Sequence, residues 1–132
     1  MRTRRLTGIG MFMGLAWLVA GCGGTPATAQ TTVQQFWHAT LSGHESAAAQ
    51  LTTNPGVVSS KLRRAYRLAS KEYHMTWKQL ASARAVVACD VTGATAFCHA
   101  TFPGSNLPAT FTSLRQVNGQ WRLLASDFSQ VP

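Results

Sequence analysis

Hydrophobic residues follow three successive patterns along this chain of 132 residues. A continuous apolar run extends from Ile9 to Ala20, apolar residues then recur every three or four positions as far as Leu80, and from Ala85 onward they alternate with polar residues. Spacings of three and four predict amphipathic helices, and alternation predicts half-buried strands. We therefore expect an α+β domain, with N-terminal helices packed on an antiparallel sheet of about four strands.

The first helical segment has recognisable signals at both ends. Thr32-x-x-Gln35 can form a capping box, and Gly43 is typical of the position just after a helix. A short Ala-rich helix is expected next, from Glu45 to Leu51. The apolar residues of the first helix share one face: Val33, Phe36, Trp37 and Leu41.

A third helical pattern predicts one long amphipathic helix from Lys61 to about Leu80. An alternative ends this helix near Lys71 and makes Tyr73–Trp77 a strand, since these residues also alternate. In the single-helix interpretation one apolar stripe is buried, and Arg64, Arg67 and Lys71 are exposed on another face. The stripe consists of Leu62, Tyr66, Ala69, Tyr73, Trp77 and Leu80.

The remainder of the chain is predicted to be strands joined by tight turns. Asn118-Gly119 is a strong hairpin signal, and Gly93-Ala94 suits a type II′ turn. That turn places Cys89 directly opposite Cys98, so the two cysteines are predicted to form a cross-strand disulfide. The expected strands are Ala85–Val91, Thr95–Phe102, Ala109–Val117 and Gln120–Phe128.

The N-terminal apolar run predicts export rather than a membrane span. It follows a basic start and is shorter than the roughly 20 residues that a spanning helix needs. Val19-Ala20-Gly21-Cys22 resembles a bacterial lipobox, in which the cysteine is acylated and the chain is cut before it. We therefore expect a lipoprotein signal peptide over 1–21, a flexible tether over 22–30 and the domain over 31–132. An ordinary secretory signal is the alternative; Arg4-Arg5 fits a twin-arginine signal poorly.

Lipidation at Cys22 implies a cell-envelope protein held at the membrane by its N-terminal lipid. In a host with two membranes, Gly23 rather than Asp after the cysteine favours the outer membrane, facing the periplasm. Export also brings the cysteines into an oxidising compartment, which favours the predicted disulfide.

Positive charge is concentrated on the predicted third helix. Loss of residues 1–21 removes three of the twelve basic residues and none of the four acidic ones, so the net charge changes from +8 to +5. The exposed residues Arg64, Arg67 and Lys71 are candidate contacts for anionic lipid, acidic cell-wall polymer or an envelope protein. A solvated helix face is the alternative, and nucleic acid is not expected to meet an exported protein.

Catalytic and metal-binding patterns are weak in this sequence. The acidic residues of the domain form no close pair, and the four histidines lack paired metal-ligand spacing. His99 would point toward the interior only if its neighbour Cys98 pointed outward. We expect no catalytic residue, metal or cofactor.

Two segments resemble the nuclear-transport-factor-two-like, or cystatin-like cone, superfamily, and small bacterial lipoproteins of that fold in particular. Phe36–His44 reads Phe-Trp-His-Ala-Thr-Leu-Ser-Gly-His, close to a family helix end that has Asp at the last position, and Val117–Leu123 contains Gly-x-Trp-x-Leu. The resemblance implies a curved sheet around the first helix and a cone-shaped interior that is either open or filled. Its candidate lining residues are Phe36, Trp37, Trp121 and Leu123.

These observations predict a lipid-anchored, non-catalytic domain that binds a protein partner or a small ligand. One alternative is an accessory or immunity lipoprotein of a secretion or conjugation system. The other, implied by enzymes of the same superfamily, is a small isomerase or dehydratase.

Overall fold

The computed structural model describes residues 28–128, in which four helices precede a four-stranded antiparallel sheet. The strands lie in chain order, β1-β2-β3-β4, and the first helix packs against β1, β2 and β4. The α+β prediction is confirmed. The elements are α1 (Ala29–Leu41), α2 (Glu45–Ala49), α3 (Pro55–Glu72), α4 (Trp77–Ser82), β1 (Val86–Thr92), β2 (Thr95–Thr101), β3 (Thr110–Val117), β4 (Gln120–Leu123) and a 3₁₀ helix (Ala125–Phe128).

Helix α1 begins earlier than its sequence pattern predicted. Thr28, not Thr32, is the N-cap: its hydroxyl oxygen accepts a hydrogen bond from the Thr31 backbone N–H at 3.1 Å. Residues 28–30, which were assigned to the tether, are thus the cap and first turn of α1. The predicted signal peptide, Cys22 and the rest of the tether lie outside the described residues.

The C-terminus of α1 requires glycine. Gly43 has a φ of +81°, in the left-handed region that other residues adopt at a cost. The backbone N–H of His44 donates to the carbonyl of Ala39 at 2.8 Å, which closes the helix end. A Cβ atom at position 43 would also lie 3.4 Å from the ring of Tyr66 on α3. That distance is an ordinary contact, so it is the positive φ at the turn into α2 that favours glycine at this position.

The sheet has the predicted register at both hairpins. Cys89 pairs with Cys98 across β1 and β2, with Cα atoms 4.1 Å apart, and the two form a disulfide. Across the Asn-Gly hairpin Leu114 pairs with Leu123. The inner face of the sheet packs on α1 and contains these buried side chains: Val87, Ala96, Cys98, Ala100, Thr112, Leu114 and Leu123.

The prediction of one helix from Lys61 to about Leu80 is wrong at both ends, since α3 already begins at Pro55. The alternative was right that the helix ends near Lys71, but the strand it placed over Tyr73–Trp77 is absent from the described residues. Helix α3 ends at Glu72, His74 adopts a positive φ of 54°, and α4 begins after Thr76. Thr76 and Gln79 form a capping box that starts the new helix. Because of this break Trp77 is 48% exposed, whereas Leu80 is fully buried.

The fourth strand is shorter than predicted. It ends at Leu123, whose free edge pairs with the segment after α2: the Leu123 N–H donates to the Leu51 carbonyl, and its own carbonyl accepts from the Thr53 N–H. The chain then turns into the 3₁₀ helix, and the ring of Phe128 returns to the core, with its centroid 5.3 Å from that of Phe36. The outer edge of β4 is thereby partly covered.

Within residues 28–128, none of the helices combines the length and hydropathy that crossing a bilayer would require.

Candidate ligand cavity

A cavity of about 430 Å³ lies between α1, α3 and the loop that joins β2 to β3. Its volume is in the range of pockets that hold small organic molecules. Most of its wall is apolar, with a few polar groups. The residues that line it are Trp37, Thr40, Leu41, Ala65, Tyr66, Leu68, Ala69, Glu72, Tyr73, Phe102, Leu107, Pro108 and Thr110.

Small side chains on α3 leave the space for this cavity. Ala65 and Ala69 are one helical turn apart, so they share the side of α3 that faces the opening. Across from them, the indole of Trp37 on α1 stands edge-on to the ring of Phe102, with centroids 5.4 Å apart. The cavity is thus lined by the packed rings of Trp37 and Phe102 and by small side chains of α3.

The break after α3 holds the loop that closes the cavity. Because the helix ends at Glu72, the carbonyl of Tyr73 accepts a hydrogen bond from the side-chain amide of Asn106 at 2.9 Å. Within the loop, the hydroxyl of Ser105 donates to the Phe102 carbonyl at 2.8 Å and accepts from the Leu107 N–H at 3.2 Å. Leu107 is held half-buried against the core as a result.

Two polar atoms of the lining residues are buried without a hydrogen-bond partner among residues 28–128: Nε1 of Trp37 and Oγ1 of Thr110. An unpaired buried polar group costs about 1–3 kcal/mol. Most such groups in folded proteins are paired. Both atoms are closed off from solvent, so a molecule in the open cavity would not reach them unless the surrounding side chains moved.

Glu72 is the charged residue of the lining, and its side chain is exposed. Among the described lining residues there is no Lys, Arg or His. Two other acids are engaged elsewhere: the carboxylate of Glu45 is 3.4 Å from Arg63, and that of Asp127 accepts from the Ser113 N–H at 2.6 Å. The cavity is chemically suited to a mostly apolar ligand.

The four residues predicted to line an interior cavity occupy different positions. Trp37 lines the cavity described above. Phe36 and Leu123 are fully buried in the core, and Trp121 packs half-buried against it. The other lining residues were not identified from the sequence, because α3 and the loop after β2 are brought together only by the fold.

His99 lies on the opposite side of the sheet from the cavity. Cys98 points into the core and is 1% exposed, so its neighbour His99 points outward and stacks on Phe111 with ring centroids 4.7 Å apart. In the described part of the chain, no three His, Cys, Asp or Glu side chains are grouped so as to hold a metal ion.

The basic residues of α3 are exposed at the positions predicted for them. Arg64, Arg67 and Lys71 share a helix side that faces away from the buried residues Val58 and Leu62. Their contact with an anionic partner stays a prediction.

Fold and cavity together define a small, disulfide-bonded α+β domain with an apolar cavity between its helices and one loop. Comparison of the chain with protein-family models, with curated proteins and with solved structures finds no match.

Proposed function

We propose that this protein is a lipid-anchored cell-envelope protein whose domain binds a small, mostly apolar ligand between α1 and α3. The observation that supports this function is the cavity itself. Its wall is mostly apolar and includes the aromatic residues Trp37, Tyr66 and Phe102. A concave, mostly apolar wall with few polar groups is typical of small-molecule sites.

The lining residues indicate the class of ligand. Most of the wall is apolar, and its polar groups are few. A neutral molecule with a mostly apolar body fits this lining. An anionic ligand is disfavoured by the carboxylate of Glu72 at the rim.

The proposal of a lipid anchor is based on the lipobox-like segment that ends at Cys22. A diacylated or triacylated cysteine holds a protein stably at a membrane, since two or more chains are needed for that. The Cys89–Cys98 disulfide supports export, because such bonds persist mainly outside the reducing cytosol. We place the domain on the periplasmic side of the outer membrane if the host has two membranes.

We propose binding rather than catalysis because the cavity's one carboxylate is exposed and has no basic side chain beside it among the described lining residues. Proton transfer by a positioned acid and base requires both groups within reach of the substrate. The order of helices and strands is compatible with the cystatin-like cone superfamily, and membership in it stays a proposal.

Filling the cavity should abolish ligand binding. Ala69→Phe places a phenyl ring in the opening, so the affinity for the neutral fluorescent probe N-phenyl-1-naphthylamine is expected to fall at least about tenfold, from lost apolar contact and occupied volume. Fluorescence titration of the wild type and the variant measures this change. Leu68→Ser, which removes an exposed part of the same wall, should weaken binding by a smaller factor.

The matched control is Ala47→Phe, the same substitution on the exposed side of α2. Thermal unfolding of each variant verifies that the fold is retained. Equal probe affinity in the wild type, Ala69→Phe and Leu68→Ser would show that the cavity is not the binding site. Loss of affinity in Ala47→Phe as well would place the probe elsewhere.

A further inference from the structure

The outer face of the sheet exposes aromatic side chains to solvent. Because side chains alternate along a strand, the face opposite the core presents Phe97 and Phe111, which are 51% and 60% exposed. The Phe97 and Phe111 rings stack with centroids 5.7 Å apart, and the His99 ring also stacks on Phe111. Val86 extends this apolar surface on β1 and is 56% exposed.

Two arginines lie at one end of the same face. Arg115 and Arg122 are directly opposite each other on β3 and β4, where like charges repel mildly. Arg122 donates to the carbonyl of Gln50 and to the amide oxygen of Gln120, and both acceptors are uncharged. Asp90, opposite Phe97, is the one acid among the outward-facing residues of the four described strands. The face therefore combines exposed aromatic rings with a positive charge at the end where Arg115 and Arg122 lie.

We propose that this face, defined by Val86, Phe97, His99, Phe111, Arg115 and Arg122, docks on the anionic surface of the membrane that holds the lipid anchor. Transfer of a phenyl ring from water to the apolar part of the membrane interface has a favourable free energy. Arginines near an anionic bilayer surface are attracted to its headgroups. This face can therefore contact an anionic membrane in two ways, through its apolar rings and through its arginines.

The length of the chain between anchor and domain limits how far the domain can move away. Thr28 lies six positions after Cys22, and even fully extended this segment spans only about 20 Å. Packed layers of helix and sheet are about 10 Å apart, so the tether is long enough for the sheet face to reach the membrane and short enough to hold it nearby. The inference rests on the proposed lipid anchor.

The test uses the lipidated full-length protein in vesicles of phosphatidylcholine with phosphatidylglycerol. An environment-sensitive nitrobenzoxadiazole label is attached at Ala88→Cys, an exposed position directly opposite His99. The matched control is the same label at Ser60→Cys, on the exposed side of α3 near the basic residues. The lipid on Cys22 and the disulfide leave the introduced thiol as the one available for labelling.

We expect the label at position 88 to be quenched by spin-labelled lipids and the label at position 60 to remain in water. Arg115→Gln with Arg122→Gln should lower the ratio of docked to free domain about 25-fold, from about fivefold for each arginine. Phe97→Ser with Phe111→Ser should lower it at least about tenfold. Either double variant provides the test if the other fails to fold.

Each alternative outcome is distinguishable. Flotation of the protein with vesicles but equal quenching at positions 88 and 60 would overturn the docking proposal and leave the anchor intact. Stronger quenching at position 60 would assign the contact to α3 instead. A label at position 88 that is shielded from water yet insensitive to spin-labelled lipids would indicate contact with a second copy. Failure to float would overturn both the anchor and this inference.

Discussion

Phe36→Ala is expected to lower the free energy of unfolding by about 3–5 kcal/mol, the largest effect of any single substitution considered for this domain. The side chain of Phe36 is fully buried. Its ring contacts Trp37 edge-on, with centroids 5.2 Å apart, and Phe128, with centroids 5.3 Å apart. Truncation leaves a void where α1, the sheet and the 3₁₀ helix meet. A loss of this size is a large share of the total stability of a small domain.

The control is Phe111→Ala, the same change at a residue that is 60% exposed. It loses part of two ring stacks and little buried area, so about 1 kcal/mol or less is expected. Phe36→Leu, which keeps most of the volume, should cost less than Phe36→Ala. Urea unfolding monitored by circular dichroism measures all three. Similar losses for Phe36→Ala and Phe111→Ala would contradict the assignment of Phe36 to the core.

Loss of the disulfide is expected to have the second-largest effect. Cys89→Ala should destabilise the domain by about 2–5 kcal/mol, as removal of a native disulfide usually does in small secreted domains. The bond joins residues nine positions apart, and closure of such a short loop accounts for about 2.5 kcal/mol in the chain-entropy model. It also fixes the register of β1 on β2, and a slip by one residue would turn each side chain to the opposite face.

Cys98→Ala should destabilise the domain as much as Cys89→Ala does. The double variant should be no less stable than either single variant, because all three lose the same bond. Unfolding with and without a reductant measures the contribution directly. The reductant should lower the free energy of unfolding of the wild type to that of the variants. It should leave the free energy of unfolding of the variants unchanged. A wild-type protein whose stability is insensitive to complete reduction would show that the bond does not stabilise the fold.

The sheet could be predicted from the sequence because its determinants are local. Gly93-Ala94 and Asn118-Gly119 fix the two hairpins, and a two-residue turn leaves one register for the strands on either side. Hence the pairs Cys89–Cys98 and Leu114–Leu123 followed from counting outward from the turns. The end of β4 could not be found in this way, because the 3₁₀ helix that follows it packs Phe128 against Phe36, a residue distant in sequence.

The third helix was predicted wrongly because its apolar stripe keeps a helical spacing across a break in the backbone. Tyr73 and Leu80 fit one continuous pattern, yet they lie on opposite sides of the turn at His74. A signal for the break was present, since Thr76-x-x-Gln79 is a capping box, the same pattern that was expected at Thr32-x-x-Gln35 for the first helix. In this chain the capping box marks the start of a new helix, although the apolar stripe continues across it.

Only part of the cavity lining could be predicted from the sequence. Trp37 could be identified as a candidate because it is a large aromatic residue on the apolar face of the first helix. Ala65 and Ala69 could not, since small residues on a helix give no signal of the space they leave. Leu107 and Thr110 depend on the conformation of a loop that is fixed by Asn106 and the end of α3.

Lipidation of Cys22 is the premise on which envelope location, the oxidised cysteine pair and membrane docking of the sheet all depend. Metabolic labelling with a fatty-acid analogue, followed by purification of the full-length protein, tests it most directly. The wild type should incorporate the label and Cys22→Ser should not, while Cys89→Ala, a matched control that also removes one cysteine, should label as the wild type does. Equal labelling of the wild type and Cys22→Ser, or no labelling of either, would contradict the proposal of a lipid-anchored envelope protein.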